Sequence, residues 1–198
     1  MLINTHLAIG KYCYKVCNEK YNLNIDKKYF LLGCVEPDMH KRGNKIQHTY
    51  SVSKEQMIHY KQYIENNDLS VKEVSFIIGQ IAHYIADCFC KYHLEEYYGK
   101  DMGKHFKYEL TLHRNLKKVL RNNEEMFDGI LDDLAISRDY LSELKRNREQ
   151  YLDLEEDCLN DIYYTVKTTC QLLYSTQNYC TEVLNLYIST KYLPYCHQ

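Results

Sequence analysis

Outside residues 21–53 this chain places apolar side chains three or four residues apart nearly throughout. Nowhere does it show the strict alternation, bounded by hairpin turns, that marks a half-buried strand. Helix breakers are scarce too, with two prolines and seven glycines in 198 residues. Helices can therefore run long, and the fold class is read as all-α. The periodicity predicts helices over residues 2–20, 54–66, 70–90, 101–122, 127–148 and 153–190. Two of these starts have a chemical reason: Ser53 followed by Gln56, and Ser70 followed by Glu73, have the spacing of capping boxes. Residues 21–53 differ. They hold Gly33, Pro37, Gly43 and Asn44, keep no helical period, and are expected to form a long loop. A loop of that length within a domain is usually functional or disordered, and this one carries Asp38, His40 and His48.

No stretch rich in Gly, Ser or Pro divides the chain, so residues 1–198 are expected to make a single-domain helical bundle. The first residues lack a basic segment, an apolar run and a small-residue cleavage site, so no signal peptide is visible. No transmembrane segment is visible either. The most apolar stretch, residues 71–86, is broken by Lys72, Glu73, Gln80 and His83 and falls short of about 18 uninterrupted apolar residues. Nine cysteines, at 13, 17, 34, 88, 90, 158, 170, 180 and 196, form no paired framework and fit a reducing compartment, which points to the cytoplasm. Cys13-x3-Cys17 and Cys88-x-Cys90 do not match structural zinc spacing and read as buried thiols. Charge is unevenly spread: residues 1–119 hold 18 Lys+Arg against 13 Asp+Glu, whereas residues 120–160 hold 5 against 12. The first of these regions is electropositive, which favours an anionic substrate.

That region also holds the polar groups most suited to chemistry. His83 and Asp87, four apart on a predicted helix, project from one face about a turn apart and can approach one cation. Gly79 lies a turn earlier on the same face and leaves room for another segment to come close. His93 follows beyond the expected helix end and would reach the site from another direction. The pattern returns in His105-x3-Glu109. Imidazole and carboxylate together suit zinc, and a divalent ion makes a buried carboxylate tolerable. Any one such pair is more often a salt bridge than a ligand pair; the repetition is what favours metal.

The ordered series His6, Gly33-x3-Pro37-Asp38, His48, His83-Tyr84-x-Ala86-Asp87-x5-His93 and His105-x3-Glu109 resembles the bacterial zinc-dependent phospholipase C family. The resemblance covers about residues 6–109 and implies a helical fold whose cleft holds two to three zinc ions. Carried over by position, Asp38, His48, His83 and Asp87 would bind one zinc, and His93, His105 and Glu109 a second. Asp87 would bridge to a third that His6 also binds. In the family that third ion is completed by the amine and carbonyl of an amino-terminal tryptophan. This chain begins with Met1, has Lys91 where the family has a proline, and carries Met39 and Lys45 at positions that phosphocholine-selective members use.

The chemistry this implies is hydrolysis of a phosphodiester by metal-activated water, with Asp38 as general base. The substrate would be a phosphoester, with phospholipid the foremost candidate. Zinc nucleases of similar fold supply a second reading, ranked lower because the chain has no tryptophan and no basic aromatic strip for stacking bases. A third is a metal-stabilised interaction protein without catalysis. His40, His59 and His113 are read as structural or as partners of the ligands, and His197 as tail.

Overall fold

The computed structural model describes residues 1–39, 48–122, 124–127, 129–131 and 139–191, the side chains of 122, 124, 125 and 177–191 excepted. His40, Lys45, Cys196 and His197 lie outside the described residues, as does the side chain of Cys180. Among the described residues every regular element is helical. In chain order they are α1 (Ile3–Tyr21), α2 (Lys27–Gly33), α3 (Glu36–Met39), α4 (Tyr50–Asn66), α5 (Val71–Cys88), the 3₁₀ turn η1 (Lys91–His93), α6 (Met102–Asn122), a second 3₁₀ turn η2 (Glu124–Phe127), α7 (Tyr140–Leu152) and α8 (Cys158–Lys191). The all-α expectation holds.

Helix α5 is the axis of the molecule. From Ile77 to Cys88 every side chain is buried, as a helix enclosed on all sides requires, and α1, α2, α4 and α8 pack around it. Its start is the expected capping box, in which Ser70 Oγ accepts from the Glu73 amide while the Glu73 carboxylate accepts from the Ser70 amide. Its far end is closed by Arg148, whose guanidinium donates to the Cys88 carbonyl and lies 4.1 Å over the Tyr50 ring. Replacing Ser70 with Ala should remove the cap and cost about 1 kcal/mol, measurable as a lowered denaturation midpoint.

Three expectations are corrected. Residues 21–53 are not one loop, because α2 and α3 lie within them. Helix α2 begins where Asp26 accepts from the Lys28 and Tyr29 amides, and at seven residues it is too short to display an apolar period. The helix expected from residue 54 begins at Tyr50, so Ser53 is no cap; it is a fully buried residue within the helix, its Oγ unbonded among the described residues. The helix expected over 127–148 begins at Tyr140, where Asp139 accepts from the Ser142 amide. The preceding residues include a turn at Gly129 with φ +79°, which L side chains avoid.

The room left by Gly79 is filled by α2. A Cβ on Gly79 would stand 2.1 Å from the Phe30 carbonyl oxygen, and one on Gly33 would stand 2.0 Å from the Phe76 oxygen. Two backbones thus touch, and the segment leading to Asp38 is fastened against the helix that carries His83 and Asp87.

Candidate metal centre

Asp87 lies in the last turn of α5, fully buried, and five groups approach its two oxygens. The Met1 amino group is 2.6 Å, His6 Nε2 3.4 Å and His93 Nδ1 3.7 Å from Oδ1. His48 Nδ1 is 2.6 Å and His83 Nε2 3.2 Å from Oδ2. Burial alone would raise the pKa of this carboxyl; His93, the amino group and the other imidazoles hold it well below the usual range.

Four helices and two connections deliver the rest. His6 comes from α1 and stacks on His83 with ring centroids 3.9 Å apart. Asp38 comes from α3, 3.8 Å from His6 Nε2. His48 and His93 come from the segments flanking α4 and following α5, and His105 and Glu109 from α6, with His105 Nε2 2.9 Å from the Glu109 carboxylate. Tyr92 stacks on the His105 ring with an interplanar angle of 9°. All eight residues singled out in the sequence therefore join one continuous set of contacts. His105 reaches the others through Glu109 and, edge to face, through the His93 ring.

Backbone carbonyls decide how two of the imidazoles present themselves. His83 Nδ1 is 3.0 Å from the Cys34 carbonyl oxygen and His93 Nδ1 is 3.2 Å from that of His48. A carbonyl only accepts, so in both rings Nδ1 is the donor toward it and Nε2 is the nitrogen left to face the site. Those Nε2 atoms face carboxylates: His83 Nε2 lies 3.2 Å from Asp87, and His93 Nε2 is 3.4 Å from Glu109. His6 is buried, its pKa held down to about 4 by burial and by His83, and neither of its nitrogens has a hydrogen-bond partner among the described residues. Imidazole nitrogens and carboxylates thus crowd one buried space, an arrangement that a cation shared between them satisfies. The donor set fits zinc.

Two contributors lie outside the eight: the family resemblance points to the first, and the sequence reading placed the second among the buried thiols. The Met1 amino group lies 2.6 Å from Asp87, 3.2 Å from Glu109 and 3.0 Å from His93 Nε2. Burial would lower its pKa, but Asp87 and the other nearby anionic groups raise it to about 12, so here the ammonium supplies a positive charge to that half of the site. Cys90 is the other. It is buried as expected, but its thiol, with His93 and Glu109, forms a group whose ligand atoms lie within 4.8 Å of one another. His6, His83 and Asp87, then Asp38, His48 and His83, then His48, Asp87 and His93 make the further such groups. His113, by contrast, braces α6 to α1 through Thr5, and His59 lies beside Tyr60 on α4.

Behind the ligands stands a second buried carboxylate. Asp161 accepts from Tyr108 on α6 at 2.8 Å, from Tyr151 on α7 at 2.9 Å and from the Lys91 amide of η1 at 3.4 Å. It thereby joins the two segments that carry His93 and Glu109. Burial pushes its pKa up to about 7, the three hydrogen bonds opposing. Its folded pKa exceeds its unfolded one near 4. The unfolded chain therefore loses this proton first, and folding stability falls as pH rises from about 4 to about 7, by up to about 1.4 kcal/mol per pH unit. The Asp161→Asn variant should lack that slope; thermal unfolding across this range checks it.

A family described as zinc dependent phospholipase C matches residues 5–189. No curated protein and no solved structure matches the chain. With nearly the whole chain matched and the imidazoles and carboxylates gathered on Asp87, the chain belongs to the zinc-dependent phospholipase C family.

Proposed function

We propose that the chain is a zinc-dependent hydrolase of a phospholipid phosphodiester. The observation that carries this reading is the convergence of imidazole nitrogens and carboxylates on Asp87 in a chain matched to that family. Asp38, His48, His83 and Asp87 would hold one zinc; His93, His105 and Glu109, with Cys90 beside them, a second; and His6 with Asp87 a further one. Bound zinc supplies a water of pKa near 7 and neutralises phosphoryl oxygens. The chain's own side chains divide the remaining work. Asp87 is sealed off, with no exposed side-chain surface, whereas the Asp38 side chain keeps 16 % of its surface in contact with solvent. Asp38 is thus the most exposed of the site's carboxylates, ahead of Glu109 at 11 %, and is our choice to meet an incoming water and accept its proton, as a general base must. The Cys34 and His48 carbonyls hold the His83 and His93 rings through Nδ1, so the main chain sets how both imidazoles face the site. A thiol-rich composition supports a cytoplasmic location for this activity.

The test is zinc content measured alongside a substrate panel on the same preparation. Release of diacylglycerol and a phosphorylated head group from phospholipid micelles is the expected result. Nucleotide release from single-stranded DNA would make the chain a nuclease instead, and stoichiometric zinc with no turnover would make it a non-catalytic binding protein.

A further inference from the structure

Three of the most exposed large apolar side chains among the described residues are Met102 (69 %), Met39 (66 %) and Phe106 (56 %). All three border the metal centre. Met39 follows Asp38; Met102 and Phe106 each stand one helical turn before a site residue, His105 and Glu109. Ile3, 44 % exposed, stands a turn before His6 in the same way. Apolar groups from α1, α3 and α6 thus form an exposed border around one site, which water disfavours unless another surface covers it.

Helix α6 adds charge to that border. Besides the site residue Glu109 it carries no acid, yet it holds Lys104, Lys107, Arg114, Lys117, Lys118 and Arg121, all solvent-facing. Its inward residues Leu112, Leu116 and Val119 pack into the core, so the basic groups share the opposite face. Lys104 pairs with Asp101 at 3.2 Å; Lys107, Arg114, Lys117 and Lys118 have no carboxylate partner among the described residues. Basic residues on one face, with apolar side chains at the end nearest the site, match the chemistry of an anionic bilayer surface.

We propose that this face docks on an anionic phospholipid bilayer, Met102, Phe106, Met39 and Ile3 entering the interface and the basic face of α6 lying along the phosphates. The inference rests on the phospholipid reading above, and it adds how the centre is brought to lipid that is already in a membrane. A nucleic acid would satisfy the charges but leave the four exposed apolar side chains without a role.

Vesicles of phosphatidylcholine, with and without phosphatidylserine, provide the test. The Lys107→Gln, Arg114→Gln, Lys118→Gln triple variant should lose about 100-fold in partitioning to the anionic vesicles. It should cleave a soluble, short-chain phosphodiester as the parent does, because none of the three positions belongs to the metal centre. The chain has no tryptophan, so Phe106→Trp reports insertion directly, as a blue-shifted emission on anionic vesicles. Unchanged partitioning in the triple variant, or unshifted emission from vesicle-bound Trp, overturns the docking. So does tighter binding to polyuridine RNA through the same three residues. Charge-dependent vesicle binding by a protein that cleaves no phosphoester would uphold the docking and defeat the hydrolase reading. Cleavage of the soluble ester with charge-independent vesicle binding would do the reverse.

Discussion

Replacing Asp87 with Asn should abolish zinc loading and hydrolysis together. Both oxygens of this carboxylate are in use, Oδ1 toward the amino group and His6, Oδ2 toward His48 and His83. An amide keeps the shape but removes the charge, and its N–H groups displace one acceptor from the centre. Losing a residue that merely orients a ligand costs about 10- to 100-fold in metal affinity or activity, so loss of the shared carboxylate should exceed about 100-fold. Helix content should persist, since α5 is held by its buried faces along eighteen residues. Metal analysis after dialysis, activity and circular dichroism on one sample separate these effects. A different outcome has its own signature. Were Asp87 there only to neutralise the Met1 ammonium, the variant would lose about 3–5 kcal/mol of stability and keep its zinc.

Gly79→Ala should be as damaging without touching a single ligand. In most helices this exchange stabilises by about 1 kcal/mol. Here the new methyl would lie 2.1 Å from the Phe30 oxygen, 2.8 Å from Gly33 Cα and 2.9 Å from the Cys34 amide nitrogen, all backbone atoms that cannot rotate aside. Helix α2 must move outward, at a cost near the upper end of the overpacking range, about 3 kcal/mol. The movement would also draw the Cys34 carbonyl from His83 Nδ1, so zinc affinity should fall in parallel with the urea midpoint. Gly103 is the control: a Cβ there meets only Asp101 Oδ1 at 3.5 Å, and Gly103→Ala should leave zinc affinity unchanged and move the urea midpoint upward, by about 1 kcal/mol at most.

What could be read from the sequence follows from where each signal resides. His83 with Asp87 and His105 with Glu109 are legible because a helix turns a four-residue interval into a shared face. Gly79 was legible for the same reason, as a gap on that face, though its partner Gly33 was not. Which distant groups meet those faces is another matter, since His6, Asp38 and His48 arrive on separate elements and no local period announces them; the family resemblance supplied them. The Cys90 thiol stands beside the cluster only because the chain turns sharply through η1. Capping chemistry was legible at Ser70, where solvent leaves the serine free to bond its own helix, and misleading at Ser53, which packing against neighbouring helices buries. The short α2 and α3 fell below the length at which apolar spacing becomes a pattern.

The carbonyl that fixes the His83 ring belongs to residue 34, and every amino acid brings that oxygen with it. Neutral drift at this position can therefore exchange the thiol for another small side chain without unsettling the imidazole, provided the peptide stays where Gly33 and Gly79 hold it. Inheritance of the ring's orientation is written in the path of the main chain, not in the chemistry of the small group that residue 34 carries.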